Sequence, residues 1–282
     1  MHRVQRVSEA ERRFLIDGVE QGLRNDGRGC FDYRRVSFEM DVLPTATASC
    51  RLRAGDTEVL IGITCDMAKP SDRRPNAGCF WISVDCAASV SVSFSAGSGA
   101  DDWAQQLSVL LEALCAGDDV VDRHALCVVP GLFAWEVHAD IMVLSSGGNV
   151  LDSVSLALCA ALSTTLLPKV DAVEAVEEGE MVELRVDERP ECGVAFPLRR
   201  MPLCVTVAQL QNRCLLDATI EEELCADALL CVVVDAKCSE VVGLHKVGRG
   251  LFDAALLPPM LEHCRATAVE LARQLQRELK QG

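Results

Sequence analysis

Three groups of residues in this chain have types and spacing that can do chemistry. The first lies in Asp140 to Asp152, which reads DIMVLSSGGNVLD. The pattern predicts a strand, a turn at Gly147-Gly148 and the first turn of a helix. Backbone N–H groups at such a turn lack internal partners, and the helix dipole is positive there, so the turn is an anion site. A site that grips phosphate during chemistry adds a cation, most often arginine. Here Asn149, Val150 and Leu151 follow the glycines, which leaves the geometry of a phosphate site without its charge. The second group is Asp217 and Glu223, six residues apart; paired carboxylates serve as acid catalysts or bind Mg²⁺. Their plainer role is to cap the next helix or to pair with an arginine of a neighbouring chain, because Glu221 and Glu222 add charge that repels phosphate. The third group is Lys69, Arg73 and Arg74 in the loop AKPSDRRPNAG (Ala68–Gly78). Clustered cations hold nucleic-acid phosphates without reading sequence; the alternative is a solvated loop or a rim contact to another protein. Lys246 and Arg249, in HKVGRG, form a smaller cluster of the same kind.

The elements that must position these groups follow from periodicity and turn chemistry. A polar amphipathic helix is predicted over 6–22, with Ser8 as N-cap. Strands are predicted at Tyr33–Leu43, Ala48–Arg53, Thr57–Met67 and Phe80–Ala87, with a hairpin turn at Ala54-Gly55-Asp56. Asp101–Ala116 is a helix with Trp103, Leu107, Leu110, Leu111 and Leu114 on one face, and it contains no Lys or Arg. Strands return at Ala125–Val129 and Phe133–Leu144, then a helix at Asp152–Thr164 that is apolar nearly all round and therefore buried. Residues 169–200 are acidic and lack strong periodicity, so they read as a surface excursion between two halves. The second half has strands near Pro202–Ala208, Arg213–Asp217, Leu229–Ala236 and Glu240–Val247. It closes on a long helix after Pro258-Pro259, buried through Leu261, Cys264, Ala268, Leu271, Leu275 and Leu279. Strand clusters followed by helices indicate an α+β architecture. The expected domains are 1–190 and 191–282.

Composition sets limits on function. The 282 residues, 50% hydrophobic and 24% charged, suffice for a sizeable core. The N-terminal segment is too polar for a signal peptide, and no apolar run reaches the length of a membrane span. There are 15 cysteines, an odd number, with no CxxC pair. They sit singly in apolar runs, as Cys65, Cys86, Cys159 and Cys231 do, and read as reduced core thiols of a cytosolic or nuclear protein. The five histidines are scattered without metal-ligand spacing, and no metal or cofactor is expected. Net charge is −15, whereas a free-standing nucleic-acid binder is usually basic. RNA contact would need a local patch or basic partners.

Four segments in order carry a resemblance. Leu23–Arg34, LRNDGRGCFDYR, is similar to the LRxDGRxxxxxR signature of RNase PH-like proteins, and Ala54–Ile63, AGDTEVLIGI, resembles the hairpin that follows it. The glycine turn with Asn149, and Leu215–Ala228 (LLDATIEEELCADA), resemble the branch carrying DPTxxEE-type residues. Together they are similar to the non-catalytic ring subunits of the exosome. The resemblance implies an RNase PH fold, like ribosomal protein S5 domain 2, with two related halves of mixed sheets packed with helices. It implies a hetero-oligomeric six-membered ring of RNase PH-like chains under S1 or KH-type cap proteins. Single-stranded RNA would thread the centre, past the Lys69–Arg74 loop, toward an attached hydrolytic nuclease. It places the chain in the nucleus, including the nucleolus, and in the cytoplasm.

Active members of that family carry a DGG-Ser/Thr-Arg segment whose arginine and hydroxyl grip the attacking phosphate. By position this chain has Ser146-Gly147-Gly148-Asn149-Val150, so the aspartate and the arginine are both replaced. Phosphorolysis needs phosphate held in line with charge stabilised in the transition state. The expectation is therefore no catalysis, with Val150 in the arginine's place. The alternative is a phosphorolytic exoribonuclease using Asp217 and Glu223 with an arginine donated by a partner; a third reading is an acidic scaffold that touches no RNA. Arg28 is read as part of a tight turn and paired to a carboxylate, and Asn149 as a helix cap.

Overall fold

The computed structural model describes residues 7–91, 99–174, 182–187, 189–248 and 250–280. Helix α1 (Glu9–Glu20) opens on a capping box: Ser8 Oγ accepts from the Glu11 amide, and Glu11 returns the bond to the Ser8 amide at 2.8 Å. Strands β1 (Val36–Met40), β2 (Ala48–Ala54), β3 (Thr57–Ala68) and β4 (Cys79–Cys86) follow, then the short helix α2 (Ala88–Ser91) and α3 (Gly99–Cys115). After β5 (Cys127–Val129) and β6 (Phe133–Ser145), the sheet runs β1-β2-β3-β6-β4, with β5 attached to β6. The β4–β6 pair is parallel and the rest of the path antiparallel. The parallel pair requires a crossover, and α2 and α3 provide it.

Helix α4 (Val150–Thr164) is buried from Val150 through Leu162. It lies against β2 and β3 on one side and against the second sheet on the other, which explains why its sequence is apolar all round. The acidic stretch after it contains more order than its composition suggests. Short strand β7 (Leu166–Leu167) pairs with β10 (Val194–Ala195), and β8 (Lys169–Glu174) pairs with β9 (Val182–Asp187) as a hairpin. The pairing pattern carries this ribbon where side-chain alternation does not.

The second sheet orders β12 (Arg213–Leu216), β11 (Pro202–Leu210), β13 (Ala228–Asp235) and β14 (Glu240–Val247). The short helix α5 (Ile220–Cys225) sits between β12 and β13, and α6 (Leu257–Glu278) closes the chain. β11 is buried along its whole length, and α4 and α6 both pack on it. Met260, Cys264, Ala268, Leu271, Ala272 and Leu275 form the buried face of α6, at intervals of three and four residues. Leu261 and Leu279 lie at its margin, half-buried.

Helix α1 begins the chain yet packs on the second half. Leu15 and Val19 join Ala208, Leu210, Leu215, Ala218 and Cys225 in a small core of their own. The segment that follows, Leu23–Arg34, therefore runs past the start of α5, and this is what builds the site.

All 15 cysteines are free thiols. Burial pushes Cys50, Cys115 and Cys264 up to about 12, so these thiols stay protonated and act as apolar filling. No helix among the described residues is long and apolar enough to cross a membrane.

Candidate functional site

The predicted glycine turn forms between β6 and α4, and it is closed from three sides. The Gly147 amide donates to Thr57 Oγ1 at 3.1 Å, and the Thr57 hydroxyl donates to the Gly148 carbonyl at 2.7 Å. The Ile220 amide donates to the Gly147 carbonyl at 3.0 Å, tying the turn to the start of α5. Gly148 has φ of +97°, and a Cβ there would stand 2.6 Å from backbone atoms of Ala218, Thr219 and Ile220. Only glycine fits that approach.

The anion position of the turn is taken by the chain's own carboxylate. Glu223 Oε1 accepts from the Asn149 amide at 2.6 Å. This is the N–H that an oxyanion would otherwise meet at the start of α4, and Glu223 also satisfies the positive end of the helix. Val150 is buried beside it. Both line a cleft of about 130 Å³ with Trp103, Leu107 and His245.

The cation absent from the turn's own sequence arrives from elsewhere. Arg34 donates through Nη1 to the Gly147 carbonyl at 3.2 Å and through Nη2 to the Gly148 carbonyl at 3.0 Å. The same guanidinium grips Asp217 through Nε at 2.9 Å and Nη2 at 2.7 Å. Arg28 adds a bond to Asp217 Oδ2 at 2.9 Å and holds Asp26 at 2.7 Å. One element further in, Arg24 and Glu222 form a two-point pair at 2.9 and 2.6 Å with both side chains buried. Arg24 also donates to the carbonyls of Leu216 and Asp217. The two signature segments, LRNDGRGCFDYR and LLDATIEEELCADA, are thus the two halves of one ion-pair lattice. Bidentate guanidinium–carboxylate pairing in a dry environment explains why the residue types must be arginine and carboxylate.

Asp217 is fully buried with φ of +49°. Burial works against its charge, but the hydrogen bonds and charge of Arg34 outweigh it and hold the carboxyl below its usual range. Asp152 behaves oppositely. Burial pushes it up to about 7, while hydrogen bonds from Thr206 and Asn149 pull the other way. Asn149 sits between the two carboxylates: its Nδ2 lies 2.8 Å from Asp217 Oδ1, 2.9 Å from Asp152 Oδ2 and 3.0 Å from the Tyr33 hydroxyl. Its Oδ1 is buried without a hydrogen-bond partner among the described residues. Turning the amide over would set that oxygen against two carboxylates, so their charge fixes its orientation.

The structure brings the predicted site residues together in part. Asp217 and Glu223 converge on Asn149, one through its side chain and one through its backbone. Arg28 pairs to carboxylates in a tight turn, as expected. Three expectations need correction. Asn149 precedes α4 in the left-handed conformation and makes no side-chain cap; the amide points inward to the carboxylates. The arginine partner of Asp217 belongs to this same chain, not to a neighbour. The turn also does have a cation beside it, Arg34, although that cation is engaged by Asp217. Arg24, Arg34, Tyr33 and Asp152 were missed as participants. Arg24, Tyr33 and Arg34 lie inside the Leu23–Arg34 signature segment, which was the available signal; Asp152 had none beyond being an acid in an apolar helix.

The basic loop stands apart from this lattice. Lys69, Arg73 and Arg74 are exposed between β3 and β4, with Lys69 Nζ 4.0 Å from Asp72. Lys246 bonds the Gly248 carbonyl at 2.6 Å, and Arg249 lies outside the described residues. Among the described residues no group of His, Cys, Asp or Glu is placed to hold a metal ion.

Sequence similarity to known proteins agrees with this geometry. Residues 32–168 match domain 1 of the 3′ exoribonuclease family, RNase PH, and residues 200–263 match its domain 2. The chain belongs to the 3′ exoribonuclease family. It is 31% identical to the exosome complex component Rrp42 of Thermococcus kodakarensis over 235 residues, covering 83% of both proteins. It is 29% identical to the protein of the same name from Sulfurisphaera tokodaii over 268 residues, 94% of this chain and 93% of that one. Among solved structures, a chain of the Archaeoglobus fulgidus exosome with RNA bound to the active site superposes with a TM-score of 0.79 at 27% identity, covering 94% of this chain and 98% of that one. The RNase PH fold implied by the signature segments is the fold present, with its two sheets and the helix between them.

Proposed function

We propose that this RNase PH-family chain is a non-catalytic ring subunit of an exosome-type complex that processes and degrades RNA from the 3′ end, in ribosomal RNA maturation and mRNA turnover. The observation that carries the proposal is the occupied anion turn. Glu223 fills the position of the attacking phosphate, Val150 stands where the gripping arginine of active members would be, and Arg28 and Arg34 are engaged by a fully buried Asp217. A phosphate entering the cleft meets a carboxylate rather than a cation, so both approach and transition-state stabilisation fail.

Ring assembly is supported by the similarity to Rrp42 and exosome chains and by surface chemistry. β14 is an outer strand and exposes Val242 and Leu244, with Leu251 exposed just beyond it. Outer strands bearing apolar side chains are template edges for another chain. The partners in this reading are other RNase PH-like subunits, S1 or KH-type caps, single-stranded RNA in the channel and an attached hydrolytic nuclease. Lys69, Arg73 and Arg74 contact that RNA. The chain works in the nucleus, including the nucleolus, and in the cytoplasm.

Affinity purification of the tagged chain with identification of co-purifying proteins tests the assembly: RNase PH-like chains in stoichiometric amounts are expected. Incubating that complex with RNA and inorganic phosphate tests catalysis, and no nucleoside diphosphate should be released through this chain. Release that Glu223→Gln abolishes, in a complex that remains assembled, would make the chain an exoribonuclease.

A further inference from the structure

In a chain of net charge −15, three guanidinium groups line one groove without a carboxylate partner among the described residues. The groove, about 540 Å³, runs between the Ala68–Gly78 loop, strand β4 and the end of α3. Arg73 and Arg74 come from the loop, and Arg123 comes from the turn before β5. Arg123 is half-buried, and its Nε is fully buried with no hydrogen-bond partner among the described residues. A desolvated guanidinium nitrogen without an acceptor is unfavourable unless something else supplies one. Glu112 is the one carboxylate on the groove wall, and it pairs with none of the three.

The groove is also held in shape. The Gly78 amide donates to the Arg123 carbonyl at 2.9 Å, the Gly131 amide donates to the Pro75 carbonyl at 2.8 Å, and His124 Nδ1 lies 2.9 Å from the Asn76 carbonyl. The floor carries Trp81, 49% exposed, whose Nε1 donates to Glu136 at 2.9 Å and so fixes the indole. An exposed aromatic face beside clustered guanidinium groups matches single-stranded nucleic acid, whose bases stack while its phosphates pair. A free phosphate would use the arginines and leave the indole unoccupied.

We infer that this groove is a subsite for single-stranded RNA, with Arg73, Arg74 and Arg123 on backbone phosphates and Trp81 stacking a base. The inference extends the loop contact proposed above and rests on that reading. Arg123 and Trp81 are its new members.

The test uses the complex purified through the tagged chain, titrated with a short fluorescent oligouridine. Arg123→Gln should weaken binding and lower the slope of log affinity against log salt by about 0.7. Trp81→Ala should weaken binding about fivefold or more. Because the Arg123 side chain makes no ion pair with a carboxylate among the described residues and its Nε has no hydrogen-bond partner there, its variant should melt close to the parent. Ultraviolet crosslinking of the unaltered complex gives a readout free of variants, and RNA should crosslink to the peptide containing Trp81. If Arg73→Gln with Arg74→Gln weakens binding while Arg123→Gln and Trp81→Ala do not, the subsite is wrong and the loop contact stands. If none of the four matters and nothing crosslinks, both readings fall. If polyglutamate or inorganic phosphate displaces the RNA at equal charge concentration, the groove takes an acidic segment or a free anion, and the RNA assignment falls.

Discussion

At the scale of single residues, the lattice around Asp217 sets what the site can do. Removing one partner of a buried ion pair leaves an uncompensated charge, so Asp217→Ala should cost about 3–5 kcal/mol in urea unfolding. Asn149→Asp would place a third carboxylate between Asp152 and Asp217 and should also destabilise the protein. Val150→Arg restores the residue type of active members but not the site, because Glu223 still holds the Asn149 amide; chromatography of products should show no phosphate-dependent nucleoside diphosphate release. Asp152 gives a pH signature. Its folded value near 7, against 3.8 in the unfolded chain, means that the folded state holds the proton more tightly. Its contribution to stability is fully present below about pH 4 and is lost as pH rises through about 7. Asp217, with its lowered value, contributes in the opposite sense, and its contribution is lost as pH falls through that value. Asp152→Asn should therefore flatten the stability profile between about pH 4 and 7 and leave the acid limb in place. An unchanged profile in both windows would show that Asp152 does not titrate there.

At the scale of elements, the glycine turn and α1 do most of the positioning. Gly148→Ala forces a Cβ into the backbone at the start of α5 in a left-handed conformation, and should cost at least about 2 kcal/mol. Leu15→Ala in α1 removes the side chain that seats this helix on the second half, and should cost about 2–5 kcal/mol. Because α1 leads directly into Leu23–Arg34, that variant should also raise hydrogen exchange at the Asn149 and Ile220 amides, well away from the substituted residue. The helices were legible from periodicity and caps: Ser8 with Glu11, the all-apolar run of α4, and the prolines opening α6. The β8–β9 hairpin was not, since its strands are joined by backbone pairing from Lys169↔Asp187 to Glu174↔Val182, which leaves no trace in side-chain alternation.

At the scale of the whole molecule, the chain is cross-tied. α1 packs on the second half, α4 lies between the two sheets, and Gln274 of α6 donates to the Val36 carbonyl of β1 at 2.7 Å. The two halves share their core, so calorimetry should show one cooperative transition, and two resolved peaks would contradict this. The outer strand β14, with exposed Val242 and Leu244 and with Leu251 beyond it, predicts that the isolated chain self-associates or is poorly soluble. A stable, soluble monomer in sedimentation would count against the ring assignment.

The α+β class, the glycine turn, the buried helix after it and the family are all legible along the chain. These depend on local pattern and on segments short enough to read along the chain. The absence of an arginine after the glycines is legible too, being a fact of order and not of space. Where the arginines went emerges only on folding. Arg24, Arg28 and Arg34 meet Glu222 and Asp217 across some 190 residues of chain. The gathering of Arg123 beside Arg73 and Arg74 is decided in the same way. Ion pairing in a dry interior depends on proximity after folding, and proximity between distant segments leaves no periodic trace in the sequence.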